Sequence, residues 1–321
     1  MSGDRRLAAS GPDAVVEEPL HPVLHRLPYL APEERAPLRW PGGRKVALWV
    51  VPNVEHYEFL PPVRTRDPYP RSPHPDVRRY AYHDYGNRVG FWRLLEVLDR
   101  WEVPATVSLN VAVLEHEPEV TEAMLTRGWE LMSHGHYNTR FLEGMDEEEE
   151  REFLQHVDEV LLHRTGRRFR GMLGPYITAN PWTPDLMAEH GMDYHADWVH
   201  DDRPSPLLTR SHPLVALPYS YELNDAPLLM RSAIEGPEYV RMVLYQLAWL
   251  EQEPGEDGRL FCLPLHPFAI GQPHRIRFLD EVLEACRSRD VWIATAAEIV
   301  DVYRDQALAP ELAVIERRGR R

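Results

Sequence analysis

The stretch KVALWVVPNVEH, residues 45–56, holds the two features from which we infer the fold and the position of the site. Its first half is a continuous apolar run, which is typical of a strand buried on both faces of a parallel sheet. Its second half turns polar, with Asn53, Glu55 and His56. Because parallel α/β folds bind ligands at the carboxyl ends of their strands, this stretch predicts a site where the strand ends.

Comparable apolar runs recur along the chain and alternate with amphipathic segments. Strand-like runs include ATVSLNVAVL (105–114) and GRLFCLPLHP (258–267), and helical patterns include PEVTEAMLTRG (118–128) and MDEEEEREFLQHVDEVLLHRTG (145–166). The carboxylates that open the last helix suit its positive N-terminal dipole and need no catalytic explanation. About seven strand–helix units can be recognised, and they favour a distorted (β/α)7 barrel over a doubly wound sheet.

The barrel pattern occupies residues 41–305, and the segments around it differ in composition. Residues 1–40 are rich in Pro, Arg and Glu, so we expect an N-terminal arm that wraps the body or a neighbouring subunit. Residues 306–321 are expected to form a C-terminal tail with a solvated, disordered end. A Pro- and aromatic-rich loop at 60–86 interrupts the barrel, and its length favours a lid or a subunit contact.

The overall composition narrows the class of partner. With 36 basic and 51 acidic residues, the formal net charge of −15 argues against a nucleic-acid groove. Two cysteines are too few for a disulfide framework. An apolar leader and a long uncharged apolar run are both absent from the sequence, so neither secretion nor a membrane segment is expected. We therefore expect a cytoplasmic protein, assembled as a homo-oligomer, that acts on a small molecule.

Polar side chains follow six strand-like segments that lie far apart in sequence. Such convergence on one predicted rim is a stronger signal than any single residue. The residues at the six strand ends are Asn53, Glu55 and His56; His134, His136 and Asn138; Arg170 and Tyr176; Asp197 and Trp198; Glu222, Asn224 and Asp225; and His266.

The order of these motifs, NVEH, SHGHYN, RGMLGPY, DYHADW and LPLHP, resembles the polysaccharide deacetylase superfamily. Within it the chain is most similar to the branch of deacetylase-type allantoinases and cyclic imide hydrolases. The similarity runs from about Lys45 to Tyr303 and includes TPDLMAEHGMDYHADWVHDDRP and LPYSYELND. It implies a seven-stranded barrel of the deacetylase type and hydrolysis of a carbon–nitrogen bond.

The resemblance also implies roles for individual residues. The family's Thr-Phe-Asp-Asp motif matches NVEH, which puts Glu55 at the general-base position and His56 at a metal-ligand position. The family's pair of histidines four residues apart matches His134 and Asn138. The Leu-X-His motif, which supplies the catalytic acid, matches His266.

The ligand set departs from the family pattern at Asn138. A neutral amide is a poor replacement for a histidine ligand of zinc, and His136 in the same turn is the possible substitute. The allantoinase branch also lacks this second histidine, and its enzymes are thought to work without a metal. We therefore favour no cofactor, with one zinc ion held by His56, His134 and Asn138 as the alternative.

Glu55, His134 and His266 are thus the candidate catalytic residues. Enclosure by nearby aromatic side chains is expected to raise the pKa of Glu55 toward the working range, although a structural ion pair with Arg170 is an alternative role for this carboxylate. Backbone N–H groups near Gly174–Tyr176 are expected to stabilise an oxyanion. The candidate substrate-binding residues are Asn53, His136, Asn138, Arg170, Tyr176, Trp198 and Asn224.

These assignments predict a hydrolase that cleaves an amide-like bond in a cyclic imide, a ureide or another small amide. Glu55 would act as the base and His266 as the acid. Two alternatives stay open at this point: a metal-dependent N-deacetylase of an acetylated amino sugar, and a non-catalytic relative that only binds its ligand.

Overall fold

A computed structural model describes residues 25–62, 74–232, 234–255 and 257–319. Within these ranges it contains nine strands and ten helices. The strands are β1 (Val46–Val54), β2 (Thr106–Leu109), β3 (Glu130–Ser133), β4 (Gly171–Met172), β5 (Tyr194–His195), β6 (Ser205–Leu207), β7 (Leu214–Ala216), β8 (Arg259–Leu265) and β9 (Val291–Ile293). The helices are α1 (Val77–Tyr85), α2 (Phe91–Arg100), α3 (Val113–His116), α4 (Pro118–Thr126), α5 (Glu147–Thr165), α6 (Thr183–Glu189), α7 (Gly236–Gln252), α8 (Ile276–Arg287), α9 (Ala296–Tyr303) and α10 (Ala309–Gly319).

The strands form one curled sheet in the order β6-β7-β5-β4-β3-β2-β1-β8. All the strand pairs are parallel except β6 with β7. The short strand β9 pairs with the amino-terminal part of β1, beside Val46. Among the described residues β6 and β8 do not pair with each other, so the sheet forms a half-barrel and does not close. The expected α/β fold with a distorted barrel is therefore confirmed.

The side-chain alternation of β1 separates two cores. Trp49 and Val51 point into the barrel interior, where Trp49 meets the ring of Tyr219. Leu48 and Val50 point outward and pack under the surrounding helices. Because successive strand residues face opposite sides, the next inward positions after Val51 are 53 and 55. The polar end of β1 is thus directed into the mouth of the half-barrel.

The helix α5 shows why the carboxylate run has a structural role. The side chain of Asp146 caps the helix by accepting hydrogen bonds from the backbone N–H groups of Glu148 and Glu149. The carboxylate of Glu149 in turn accepts a hydrogen bond from the backbone N–H of Asp146. Gly166 ends the helix with a positive φ of 69°, which a glycine adopts without strain. The first-turn glutamates complement the helix dipole, as the sequence indicated.

The 60–86 segment differs from the irregular loop that we expected. Its last part forms α1, which Asp76 caps by accepting from the N–H of Arg79. Gly90, just after α1, approaches the loop that follows β8 so closely that a Cβ would lie 2.0 Å from the carbonyl oxygen of Pro267. Residues 63–73 lie outside the described residues. The helix therefore stands beside the barrel mouth.

The described parts of both chain ends pack against the rest of the protein. Leu38 and Trp40 are buried, and Arg26 forms a salt bridge with Asp185 at 2.5 Å. The described part of the expected solvated end, residues 316–319, is exposed, and residues 309–319 together form α10. Its Glu311 is buried and receives hydrogen bonds from Arg203, Tyr303 and the N–H of Ala36. Residues 1–24 and 320–321 lie outside the described residues.

None of the helices in the described ranges is long and apolar enough to cross a membrane.

Candidate active site

The inward-facing register of three strands brings Glu55, His134 and His266 together. Each of these residues lies at or just beyond the end of a strand, two positions after an inward residue: β1 for Glu55, β3 for His134 and β8 for His266. All three side chains are buried, with relative exposures of 7%, 3% and 8% respectively. They form the floor of a cavity of about 640 Å³ that opens at the carboxyl ends of the strands.

Glu55 is the centre of this floor. Its Oε1 lies 3.4 Å from Nε2 of His134 and 3.7 Å from Nε2 of His266. Its Oε2 accepts a hydrogen bond of 2.7 Å from the hydroxyl of Tyr57. Asn87 donates to the backbone carbonyl of Glu55 and holds the strand end in place. The carboxylate is therefore fixed, with one oxygen between two imidazoles.

His266 is one half of a buried dyad. Its Nδ1 lies 2.7 Å from Oδ1 of Asp225, and its backbone N–H donates to Oδ2 of the same carboxylate. Asp225 has no exposed surface. Because a carboxylate can only accept, Nδ1 of His266 carries a proton, and Nε2 is the atom that faces Glu55.

His134 is oriented by the neighbouring strand. Its Nδ1 lies 2.7 Å from the carbonyl oxygen of Leu173, which follows β4. A carbonyl oxygen accepts, so this nitrogen donates and Nε2 is directed at Glu55. The ring thus couples the β4 end to the carboxylate.

The environment separates the pKa values of the two central groups. Burial raises the pKa of Glu55, but the hydrogen bond with His134 and the positive charge of His266 outweigh burial, so the net pKa is lowered. Burial lowers the pKa of His266, but the charge and hydrogen bond of Asp225 outweigh it, so the net pKa is raised. At neutral pH this favours an ionised Glu55 beside a protonated His266. The expected upward shift of the Glu55 pKa is wrong, because polar partners surround the carboxylate.

Tyr57 and Asn138 extend the network on the other side of Glu55. Nδ2 of Asn138 donates to the Tyr57 hydroxyl at 2.6 Å, and that hydroxyl donates to Glu55. Burial and the charge of Glu55 raise the pKa of Tyr57 well above its usual value. The phenol therefore stays protonated and acts as a hydrogen-bond donor.

The metal-ligand positions do not fit a divalent ion. Nδ1 of His56 lies 3.0 Å from the carboxylate of Glu117, and its ring stacks on His116, outside the cavity. The amide nitrogen of Asn138 is used by Tyr57. Within the described ranges, no group of three His, Cys, Asp or Glu side chains is arranged to hold a metal. The alternative set of His56, His134 and Asn138 is therefore not brought together.

Four of the seven expected substrate-binding residues line the cavity. Nδ2 of Asn53 donates to the hydroxyl of Tyr219 at 2.9 Å, and Nδ2 of Asn224 reaches the same hydroxyl at 3.4 Å. Asn138 lines the wall beside Tyr57, and Tyr176 lines the outer part, half exposed.

The other three residues lie elsewhere. Arg170 precedes β4 at the opposite end of the strand and forms salt bridges with Asp193 and Asp301, so its expected roles as a substrate ligand and as a partner of Glu55 are wrong. The ring of His136 stacks on Tyr137 outside the cavity. Nε1 of Trp198 donates to Nδ1 of His195, behind the site.

Fewer backbone N–H groups than expected are available near Gly174–Tyr176 to stabilise an oxyanion. Pro175 has no N–H, and the N–H of Gly174 donates to Oδ1 of Asp197 at 2.7 Å. Of that stretch, the N–H of Tyr176 is the remaining candidate. Tyr176 adopts a left-handed conformation with a φ of 61°, which is unusual for a side chain of this size.

Three further groups at the site were not among the candidate catalytic or substrate-binding residues, although the sequence placed Asp225 at a strand end. They are Asp225, Tyr57 and His83, which is stacked on Tyr57 with 3.8 Å between ring centroids. Nδ1 of His83 donates a hydrogen bond to the backbone carbonyl oxygen of Arg79. Burial lowers the pKa of this histidine to about 4. His83 is therefore neutral at pH 7, and its Nε2 is an acceptor on the cavity wall.

Comparisons with known proteins agree with the sequence resemblance. The family model for polysaccharide deacetylase matches residues 74–195. The crystal structure of a probable polysaccharide deacetylase from Pseudomonas aeruginosa PAO1 is 27% identical, covering 83% of this chain and 93% of that chain with a TM-score of 0.73. The crystal structure of the PuuE allantoinase is 25% identical, covering 83% and 92% of the two chains with a TM-score of 0.72. A putative polysaccharide deacetylase of Schizosaccharomyces pombe is 25% identical, covering 82% of this chain and 92% of the relative.

Proposed function

We propose that the chain, whose sequence and structure are similar to those of the polysaccharide deacetylase superfamily, hydrolyses a carbon–nitrogen bond in a small cyclic amide, either an imide or a ureide. The relatives support a hydrolase acting on carbon–nitrogen bonds. The observation that best supports the proposed hydrolysis is the contact of Glu55 with both His134 and His266 at the floor of one cavity. A solved neighbour named as an allantoinase supports a cyclic substrate.

The proposed reaction begins with the ionised carboxylate of Glu55. Oε1 takes a proton from a water molecule, and the water oxygen attacks the carbonyl carbon of the substrate. The ring of His134 borders the same oxygen, so it holds the carboxylate and the water in line. The N–H of Tyr176 is the proposed donor to the oxyanion that forms.

The second half of the reaction uses the dyad. Nε2 of His266 gives its proton to the nitrogen as the carbon–nitrogen bond breaks, and Asp225 stabilises the imidazolium before transfer. In a cyclic substrate the nitrogen stays tethered, so the product is a ring-opened acid. The proton on Glu55 then returns to His266 across a gap of 3.7 Å, which restores the starting state.

A substrate screen tests this proposal. The purified chain is assayed against cyclic ureides, cyclic imides and N-acetylated amino sugars, with metal content measured on the same sample. We expect ring opening of at least one cyclic amide, with retention of that activity after chelation. Release of acetate from an acetylated sugar, without ring opening, would overturn the proposal.

Metal-dependent N-deacetylation is the second candidate, and the naming of two relatives as polysaccharide deacetylases favours it. Against it stands the side chain of His56, which is directed at Glu117. The cytoplasmic location and the homo-oligomer stay predictions from the sequence.

A further inference from the structure

A buried phenol lines the cavity without a role in the proposed reaction, and it belongs to Tyr219. This residue follows β7, is 1% exposed and lines the same cavity as Glu55 and His266. We propose, resting on the proposed function, that the Tyr219 hydroxyl donates a hydrogen bond to the substrate carbonyl oxygen as the water attacks. The phenol is then a side-chain donor to the oxyanion, in addition to the N–H of Tyr176.

Two asparagine amides hold the oxygen of this phenol. Nδ2 of Asn53 lies 2.9 Å from the Tyr219 hydroxyl, and Nδ2 of Asn224 lies 3.4 Å from it. The orientation of each amide is fixed by a backbone contact. Nδ2 of Asn53 also donates to the carbonyl oxygen of Leu265 at 3.3 Å. Oδ1 of Asn224 accepts from the N–H of Ala226 at 3.2 Å. Both amides therefore present an N–H to the phenol oxygen.

The proton of the Tyr219 hydroxyl is left for a ligand. A phenol oxygen has two lone pairs that accept and one proton that it donates. Asn53 and Asn224 occupy the accepting side, and in the described part of the chain no group accepts the proton. Burial raises the pKa of Tyr219 well above its usual value, so the phenol keeps this proton at neutral pH. The hydroxyl is therefore a neutral donor at the cavity surface.

The position of the phenol suits an oxyanion. Nδ2 of Asn53 contacts both the Tyr219 hydroxyl and the carbonyl of Leu265, which directly precedes His266. Asn53 also lies two positions before Glu55 on the inward face of β1. The hydroxyl is thus beside the strand ends that carry the proposed base and acid. As the water oxygen bonds to the carbonyl carbon, an electron pair moves to the carbonyl oxygen, and a donor there stabilises the negative charge.

The role of Tyr219 is electrostatic, and its proton is not transferred. The N–H groups of Asn53 and Asn224 draw electron density from the phenol oxygen and strengthen its O–H as a donor. When the intermediate collapses, the electron pair re-forms the carbonyl and the carbon–nitrogen bond breaks, while the nitrogen takes its proton from His266. Because the hydrogen bond is stronger to the oxyanion than to the neutral carbonyl, its loss lowers kcat more than it raises KM.

Tyr219→Phe tests the donor, because it removes one hydroxyl and keeps the ring that meets Trp49. The values of kcat and KM are measured for succinimide and hydantoin with the wild-type chain and the variant. We expect kcat to fall by about 10²–10³-fold, the effect of losing one oxyanion donor, with KM nearly unchanged. An unchanged kcat, or a rise in KM alone, would overturn the inference and leave the hydrolysis intact.

Tyr194→Phe is the matched control. Tyr194 is another buried phenol of the inner core, and its hydroxyl donates to Glu130 at the amino end of β3, outside the cavity. This variant should keep kcat close to the wild-type value, because its hydroxyl lies away from the reacting groups. Equal losses of kcat in the two variants would mean that any buried hydroxyl of the core matters equally, and would overturn the specific role of Tyr219.

A spectroscopic measurement separates the donor from the hydrolysis. Succinimide and hydantoin with isotopically labelled carbonyls are bound to Glu55→Gln, with and without Tyr219→Phe, and their carbonyl stretching frequencies are measured by infrared difference spectroscopy. We expect a band lowered by hydrogen bonding that moves back when the phenol is removed. Such a band without turnover by the wild-type chain would keep the donor and refute the hydrolysis. A band insensitive to Tyr219 would overturn the inference, and failure of both rings to bind would overturn both proposals.

Discussion

Nε2 of His266 lies 3.7 Å from Oε1 of Glu55, and the two groups reach that position from strands β8 and β1, which are neighbours in the sheet. Asp225 supports the histidine from behind, and Tyr57 supports the carboxylate. The pKa of Glu55 is shifted down and that of His266 is shifted up. These shifts favour an ionised Glu55 and a protonated His266, the states that a base and an acid need.

The pH dependence of kcat/KM follows from these two shifts. The proposed reaction requires ionised Glu55, so activity should be lost as the pH falls through a pKa below the usual 4.5. It also requires protonated His266, so activity should be lost as the pH rises through a pKa above the usual 6.5. We expect a bell-shaped profile with a broad plateau between those limits. An alkaline limb below pH 6.5 would contradict the assignment of His266.

Substitution of Asp225 should act through His266. Asp225→Asn removes the negative charge that raises the pKa of the histidine, so the alkaline limb should move to lower pH. We expect kcat to fall by about 10²-fold or more, because the proton donor is both less populated and less well oriented. Near-ultraviolet circular dichroism checks that the variant folds. An unshifted alkaline limb in a folded variant would mean that Asp225 is only structural.

Substitution of Tyr57 should affect the opposite limb. Tyr57→Phe keeps the aromatic contact with His83 but removes the hydroxyl that donates to Glu55. Loss of this donor disfavours the carboxylate, so the acid limb should move to higher pH. We expect kcat/KM at neutral pH to fall by about tenfold, the value of one hydrogen bond to a charged group. An acid limb that does not move would show that the Tyr57 hydroxyl does not influence the pKa of Glu55.

Chelation should leave the enzyme active. The His56 ring is directed at Glu117, and the Asn138 amide donates to Tyr57, so the family's ligand positions do not converge. We expect dialysis against a strong chelator to leave kcat/KM unchanged within about twofold. Loss of activity that returns on addition of zinc would show that these side chains rearrange around a metal.

Much of the site follows from the period-two alternation of strands. On β1 it places Glu55 on the inner face with Trp49 and Val51, and by the same rule it turns His56 outward. The alternation fails at His136, because Gly135 bends the chain with a φ of 70° and ends the strand register.

Other features depend on where short strands end and on contacts between residues far apart in sequence, and a local sequence pattern predicts neither. Arg170 lies at the amino end of β4, a strand of two residues whose ends the sequence does not locate. Asp225 and His266 are 41 positions apart, and only the fold brings them together. The α1 helix lies in a Pro-rich region, where the helical pattern is short. The fold was therefore more accessible to prediction than the pairing of groups within it.

The most direct measurement of the central claim is the hydrolysis rate of a cyclic amide substrate by Glu55→Gln, His266→Ala and the double variant. Because both residues act in one proton-transfer sequence in the proposed reaction, each single change should lower kcat by about 10²–10⁴-fold. The double change should cost little more than the worse single change, since groups that act as a unit are not additive. Undiminished kcat in either folded single variant would contradict the account.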